Sequence, residues 1–113
     1  MKITDYKAVE SRKVDEQGAE GVSVRWVISK EDGAGNFYMR VFDVQPGGFT
    51  PYHRHEWEHE VFILEGVATV VSERGTHPAP AGSVVFVLPN EVHQFRNETD
   101  ILMRFICLIP KTD

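Results

Sequence analysis

His53-Arg54-His55-Glu56-Trp57-Glu58-His59-Glu60-Val61-Phe62-Ile63-Leu64-Glu65-Gly66 is the stretch of this chain that bears on both fold and chemistry. Histidines two residues apart on an extended chain point to the same side, because the side-chain period of a strand is two. Neutral imidazole is a common ligand of divalent transition metals. His59 follows in the same stretch and His93 comes from a later segment, so four of the five histidines can converge on one mononuclear metal site built from strands. The fifth, His77, lies between Thr76 and Pro78 in a turn-like context, has no partner pattern and is expected to be exposed.

Outward from this stretch, short apolar or alternating runs are separated by Gly, Pro, Asn and Asp, and no window keeps apolar residues at helical spacing. Val22, Val24, Trp26 and Ile28 alternate with polar residues before a turn-rich segment at 31–36. A strand over 37–44 is expected to end at Gln45-Pro46-Gly47-Gly48, and strands over 59–65 and 67–72 flank Gly66. Residues 73–82, with Pro78, Pro80 and Gly82, are expected to be irregular; strands over 83–88, 92–96 and 101–109 complete the set. Six to nine short strands predict an all-β sandwich or barrel. The first 20 residues read as an edge strand, an arm reaching to a neighbouring subunit, or a loose segment.

The 113 residues make one domain, 1–113, of ordinary globular composition, with 42% hydrophobic and 26% charged residues. A formal charge of -5 without a Lys/Arg cluster argues against nucleic acid as a partner. The single cysteine, Cys107, excludes an internal disulfide framework and fits a reducing compartment. The opening MKITDYKAVESRK has no apolar core of a signal peptide, and no run is long enough for a membrane helix. A cytoplasmic protein without membrane contact is expected.

The spacing of the histidines and glycines resembles the cupin superfamily, whose members are small double-stranded β-helix (jelly-roll) barrels. The first cupin motif, G(X)5HXH(X)3,4E(X)6G, is similar to Gly47, His53, His55 and Gly66 here; the second, G(X)5PXG(X)2H(X)3N, is similar to Gly82, His93 and Asn97. The likeness covers about 37–109. It departs in three places: counting back from Gly66 puts the glutamate slot on His59 and not Glu60; the second-motif proline is displaced to Pro89; and the second-motif glycine is missing, with Glu91 near its place. The phrase from His53 to Gly66 with Pro89-Asn90-Glu91-Val92-His93 looks like a subgroup of small single-domain cupins. That likeness implies manganese or a similar ion held by His53, His55, His59 and His93, with Mn²⁺ or Fe²⁺ as the family expectation. Zn²⁺, Ni²⁺ or Cu²⁺ could win by affinity. Glu60 stays open as an alternative ligand, or as a hydrogen-bond acceptor for a ligand imidazole or an arginine partner, because both faces of its strand are apolar. Asn97 is expected to serve the barrel turn rather than the metal.

Four neutral imidazoles on an octahedral ion leave positions for water, dioxygen or substrate. In the last strand Met103, Phe105, Cys107 and Ile109 are expected to face the interior and Arg104 the outside, with Val61, Ile63, Phe95 and Trp57 as further interior candidates. Phe105 and the aliphatics read first as core, and Cys107 as a small buried residue more than a catalytic thiol. An apolar interior without a phosphate cradle predicts a small apolar or aromatic substrate. The leading expectation is a metal-dependent oxidoreductase, dioxygenase-like. The alternatives are a non-redox lyase, isomerase or hydrolase using Glu60, Tyr38 or Tyr52 for proton transfer, and a non-enzymatic ligand-binding protein. Apolar residues on both strand faces, Phe62 and Leu64 against Val61 and Ile63, predict a homodimer.

Overall fold

The computed structural model describes residues Met1–Asp113, and its regular structure is almost all strand. The nine strands are β1 (Arg12–Lys13), β2 (Glu20–Ile28), β3 (Phe37–Phe49), β4 (His59–Glu65), β5 (Val67–Ser72), β6 (Gly75–Pro80), β7 (Val84–Val87), β8 (His93–Arg96) and β9 (Met103–Pro110). Single 3₁₀ turns at Tyr6–Ala8 and Lys30–Asp32 are the only helical segments, as the lack of helical periodicity predicts. No helix is long and apolar enough to cross a membrane.

All pairings are antiparallel, in the order β6-β5-β8-β3-β9-β4-β7, with β2 also on β3 and β1 on β2; the sheet curls into a nearly closed barrel. Strand β3 belongs to both halves. Its first part pairs with β2 and β9, and Phe49 at its end pairs with Arg96 of β8. It therefore runs through Gln45-Pro46-Gly47-Gly48, where the sequence predicted an end. Glycine permits this: Gly47 takes the left-handed conformation (φ 79°), and a Cβ on Gly48 would stand 2.6 Å from the Glu20 carbonyl oxygen. The pair bends the strand from one half of the barrel to the other without ending it.

Residues 75–80 also correct the sequence reading. They form β6, hairpinned to β5 from Ser72↔Gly75 to Val67↔Pro80. Pro78 and Pro80 are tolerated because β6 is the edge of the sheet, where a missing N–H breaks no ladder. His77 is exposed as expected, but on this strand and not in a turn. In β2 the register shifts between Trp26 and Ile28, and there Val27 is buried while Ile28 is exposed.

The inward side of β9, Met103, Phe105, Cys107 and Ile109, is wholly buried and joins Val44, Val61 and Ile63 in one core. The outer face of β4, β7 and β9 is apolar and open, with Phe62 42%, Phe86 55% and Val84 77% exposed beside Ile106 and Leu108. Within the first 20 residues, Arg12 and Lys13 pair with Val24 and Ser23 of β2. The preceding turn is held by Arg25, whose Nη1 donates to the carbonyls of Lys7 (3.0 Å) and Val9 (2.9 Å).

Candidate metal centre

His59 opens β4 and His93 opens β8, while His53 and His55 lie on the loop between β3 and β4 and not on a strand as expected. His53 is placed by a two-way backbone bridge to His93: the His53 N–H donates to the His93 carbonyl (3.2 Å) and the His93 N–H to the His53 carbonyl (2.9 Å). Alternation still holds locally, with the His53 and His55 rings on one side at 4.3 Å between centroids. The ligating atoms of His53, His55 and His93 all lie within 4.8 Å of one another. His59 stands next to this trio, its ring centroid 4.8 Å from that of His93 and 5.2 Å from that of His55.

The hydrogen bonds of these rings leave nitrogens free for an ion. His93 Nδ1 donates to the Glu91 carbonyl (2.9 Å), and since a carbonyl only accepts, Nε2 keeps its lone pair. His53 Nδ1 donates to Glu16 Oε2 (3.1 Å) with the same consequence. His59 Nδ1 contacts Cys107 Sγ at 3.5 Å, and its Nε2 is buried without any partner. A buried orphan nitrogen beside three convergent imidazoles fits a divalent transition ion. Protonation favours the same state. Burial, with the neighbouring imidazoles second, pushes His55 down to about 4; burial, then His93 and Arg40, pushes His59 down to about 3. Burial also lowers His93 despite the opposing Glu91 carbonyl. All three are neutral at neutral pH, as metal ligands must be.

The second-motif glycine has a stand-in. Its place falls on Asn90, the one non-glycine residue with positive φ (65°), and asparagine is among the few residues that tolerate this conformation. Asn97 acts as expected and touches none of the histidines. Fully buried, it donates from Nδ2 to the carbonyls of Val44 (2.9 Å) and Ile101 (2.7 Å) and accepts at Oδ1 from Thr99.

A cavity of about 320 Å³ opens beside the histidines. Aromatic rings stand in its wall: Phe42, Phe105 and Phe95 stack in series at 4.9 Å steps, and Trp57 lies flat on His55 at 4.6 Å. Phe105, Cys107, Trp57 and Phe95 line it as expected, whereas Val61 and Ile63 go to the core. Burial raises the pKa of the Cys107 thiol, so it stays protonated.

Three expected proton carriers are elsewhere. Glu60 points outward, beside Phe62 and Leu108 on the open apolar face, because its parity on β4 is opposite to that of His59. Tyr38 is buried and donates its hydroxyl to Asp113 Oδ1 (2.6 Å), which pushes its pKa up to about 12. Tyr52 is exposed and lies outside the cavity wall. Two other residues bring charge to the cavity: Glu16, its one carboxylate, from the segment between β1 and β2, and Arg40 from β3. The sequence reading named neither: alternation with Tyr38 and Phe42 is the signal that could have placed Arg40 inward, while Glu16 left no local signal.

Comparison with known proteins agrees with this architecture. The cupin domain profile matches residues 40–109. Over 97% of the chain the fold matches the polyketide cyclase RemF from Streptomyces resistomycificus, covering 79% of that chain with TM-score 0.93 and 36% identity. A sugar phosphate isomerase of the cupin superfamily from Silicibacter pomeroyi shares the fold at 22% identity, with TM-score 0.86 over 98% of this chain and 76% of that one. The 1-methylthio-D-xylulose 5-phosphate methylsulfurylase of Rhodospirillum rubrum is 31% identical over 71 residues, 63% of this chain; the match spans 46% of that relative, less than half its length. The relatives differ in chemistry, while the jelly-roll barrel is common to them. The chain belongs to the cupin family.

Proposed function

We propose that this protein is a metal-dependent enzyme of non-redox carbonyl chemistry, which closes a ring in an apolar, aryl-bearing polyketone by condensation. The observation that carries this reading is the placing of the histidine cluster against an aromatic cavity whose one carboxylate is Glu16. The likeness to a polyketide cyclase over nearly the whole chain supports it above the oxidoreductase reading, which uses the same site. His53, His55 and His93 would hold a divalent ion such as Mn²⁺, Fe²⁺ or Zn²⁺, with His59 as fourth ligand through its orphan Nε2. When bound, the ion supplies Lewis acidity toward a carbonyl oxygen.

The remaining work falls to the chain. The stacked phenylalanines and Trp57 hold a flat apolar substrate and keep water out. Glu16 Oε2 is engaged by His53, and the other carboxylate oxygen is available to take a proton from the carbon next to the carbonyl. That carbon forms the new bond to the second carbonyl carbon, whose oxygen takes up the proton as a hydroxyl. The carbon's second hydrogen and this hydroxyl then leave as water and a C=C double bond forms, so no oxidant enters the balance.

The test uses an aryl δ-diketone, whose closure with loss of water gives a conjugated cyclohexenone followed by its absorbance, with an oxygen electrode in parallel. The expected result is metal-dependent ring closure without oxygen uptake, lowered about 100-fold or more in Glu16→Gln while metal content is kept. Substrate-dependent oxygen consumption, or no closure with any divalent ion, would refute the proposal.

A further inference from the structure

Two arginines on neighbouring strands are treated very differently. Arg104, on the outer face of β9, is fully paired: Nε and Nη2 donate to Asp43 (2.6 and 3.2 Å), and Nη1 to Glu65 (3.2 Å) and to the Tyr6 hydroxyl (2.8 Å). Arg40, on the cavity side of β3, takes part in no ion pair. Its only side-chain hydrogen bond runs from Nη2 to Cys107 Sγ (3.1 Å), and sulfur is a weak acceptor. Its Nε is buried with no partner.

The guanidinium is nonetheless held firmly. Arg40 pairs in register with Trp26 on one side and Cys107 on the other. The guanidinium carbon lies 5.3 Å from the Trp26 ring centroid and 4.9 Å from that of Phe42. Aromatic faces fix its plane but do not neutralise its charge. The result is a positioned, half-buried cation with free donors, lining the same cavity as the histidines.

We infer that Arg40 is a substrate-recognition residue that binds a carboxylate on the aromatic ligand, so that the aryl-bearing polyketone of the proposed reaction carries a carboxylic acid. The planar fork of a guanidinium matches a carboxylate. A single cation between two aromatic rings, with no backbone cradle, suits a carboxylate better than a hydrated phosphate dianion. This rests on the cavity being the substrate site, but it does not depend on the reaction performed there.

The test is equilibrium binding of naphthoate, naphthamide and naphthyl phosphate, by calorimetry, to wild-type protein with and without a bound divalent ion. Naphthoate is expected to bind about tenfold or more tighter than naphthamide in both forms. Arg40→Met should abolish this preference and Arg40→Lys should retain part of it, with melting temperature and metal content monitoring the fold. Equal affinity of wild-type protein for the acid and the amide would overturn the inference and requires no variant. So would an acid preference found only in the metal-loaded form, which would place the carboxylate on the ion, or tighter binding of naphthyl phosphate. A retained acid preference without ring closure would remove the proposed reaction and leave Arg40 as the carboxylate subsite.

Discussion

Asn97→Ala separates a structural residue from the candidate metal ligand His93, which it neighbours in sequence. The substitution removes two hydrogen bonds donated by Nδ2 and two accepted by Oδ1, at a residue with no exposed surface. The Val44 carbonyl then stays buried beneath a fully buried side chain, a loss of about 1–3 kcal/mol. The bonds to Ile101 and Thr99 are partly buried, and water can replace them; together they add roughly 1–2 kcal/mol. The expected total is about 3 kcal/mol, a large share of the stability of a small domain and a fall of roughly 12 °C in melting temperature. Urea unfolding with the metal removed measures it directly. His93, at the other end of β8, keeps its bridge to His53 and its bond to Glu91, so metal affinity below the transition should match wild type. A variant with unchanged stability, or one that stays folded but loses its metal, would refute the reasoning.

Two further outcomes follow from the same geometry. Because burial holds His55 near 4 and His59 near 3, below the ordinary 6.5, the unfolded chain binds protons that the folded one refuses; the metal-free protein should lose the stability these two residues contribute from about pH 6.5 down to about 3, with no such dependence above. A melting temperature that does not fall in that window, or falls equally in His55→Gln/His59→Gln, would contradict this. The open apolar face of Phe62, Val84 and Phe86 is expected to pack against a second copy, with Phe86→Glu weakening the dimer about tenfold or more; a monomeric wild type by light scattering would show that face to be free.

Features carried by local chemistry were legible in the sequence. The β4 and β5 ranges follow from alternation around Gly66, and the buried face of β9 follows from Met103, Phe105, Cys107 and Ile109. Counting from Gly66 put the glutamate slot on His59 and left Glu60 open; the structure puts His59 beside the other histidines and Glu60 on the outer face, because neighbouring residues on a strand cannot share a face. Features set by tertiary context were misread. Pro78 and Pro80 look like breakers until β6 is seen to be an edge, and Gln45-Pro46-Gly47-Gly48 looks like a turn until the strand must bend between two halves of a barrel. Tyr38 read as an available acid, but its partner Asp113 lies 75 residues away in sequence. Glu16 is the reverse case, a glutamate in a polar stretch that acquires a role only when the chain before β2 passes beside His53.

The reciprocal bridge between His53 and His93 decides what an arriving ion has to do. Donors from two distant segments are clamped through their own backbones, and the surrounding barrel has its core without help from a metal. Uptake therefore orders little of the chain, unlike a zinc finger, whose binding energy is spent on folding. Such a scaffold would empty and refill while remaining native, so release of an ion would be governed by its own ligand bonds rather than by unfolding. A centre so built would equilibrate with its surroundings, and the ion held there would follow the local free-metal supply weighted by intrinsic affinity, more than any selection exerted during folding.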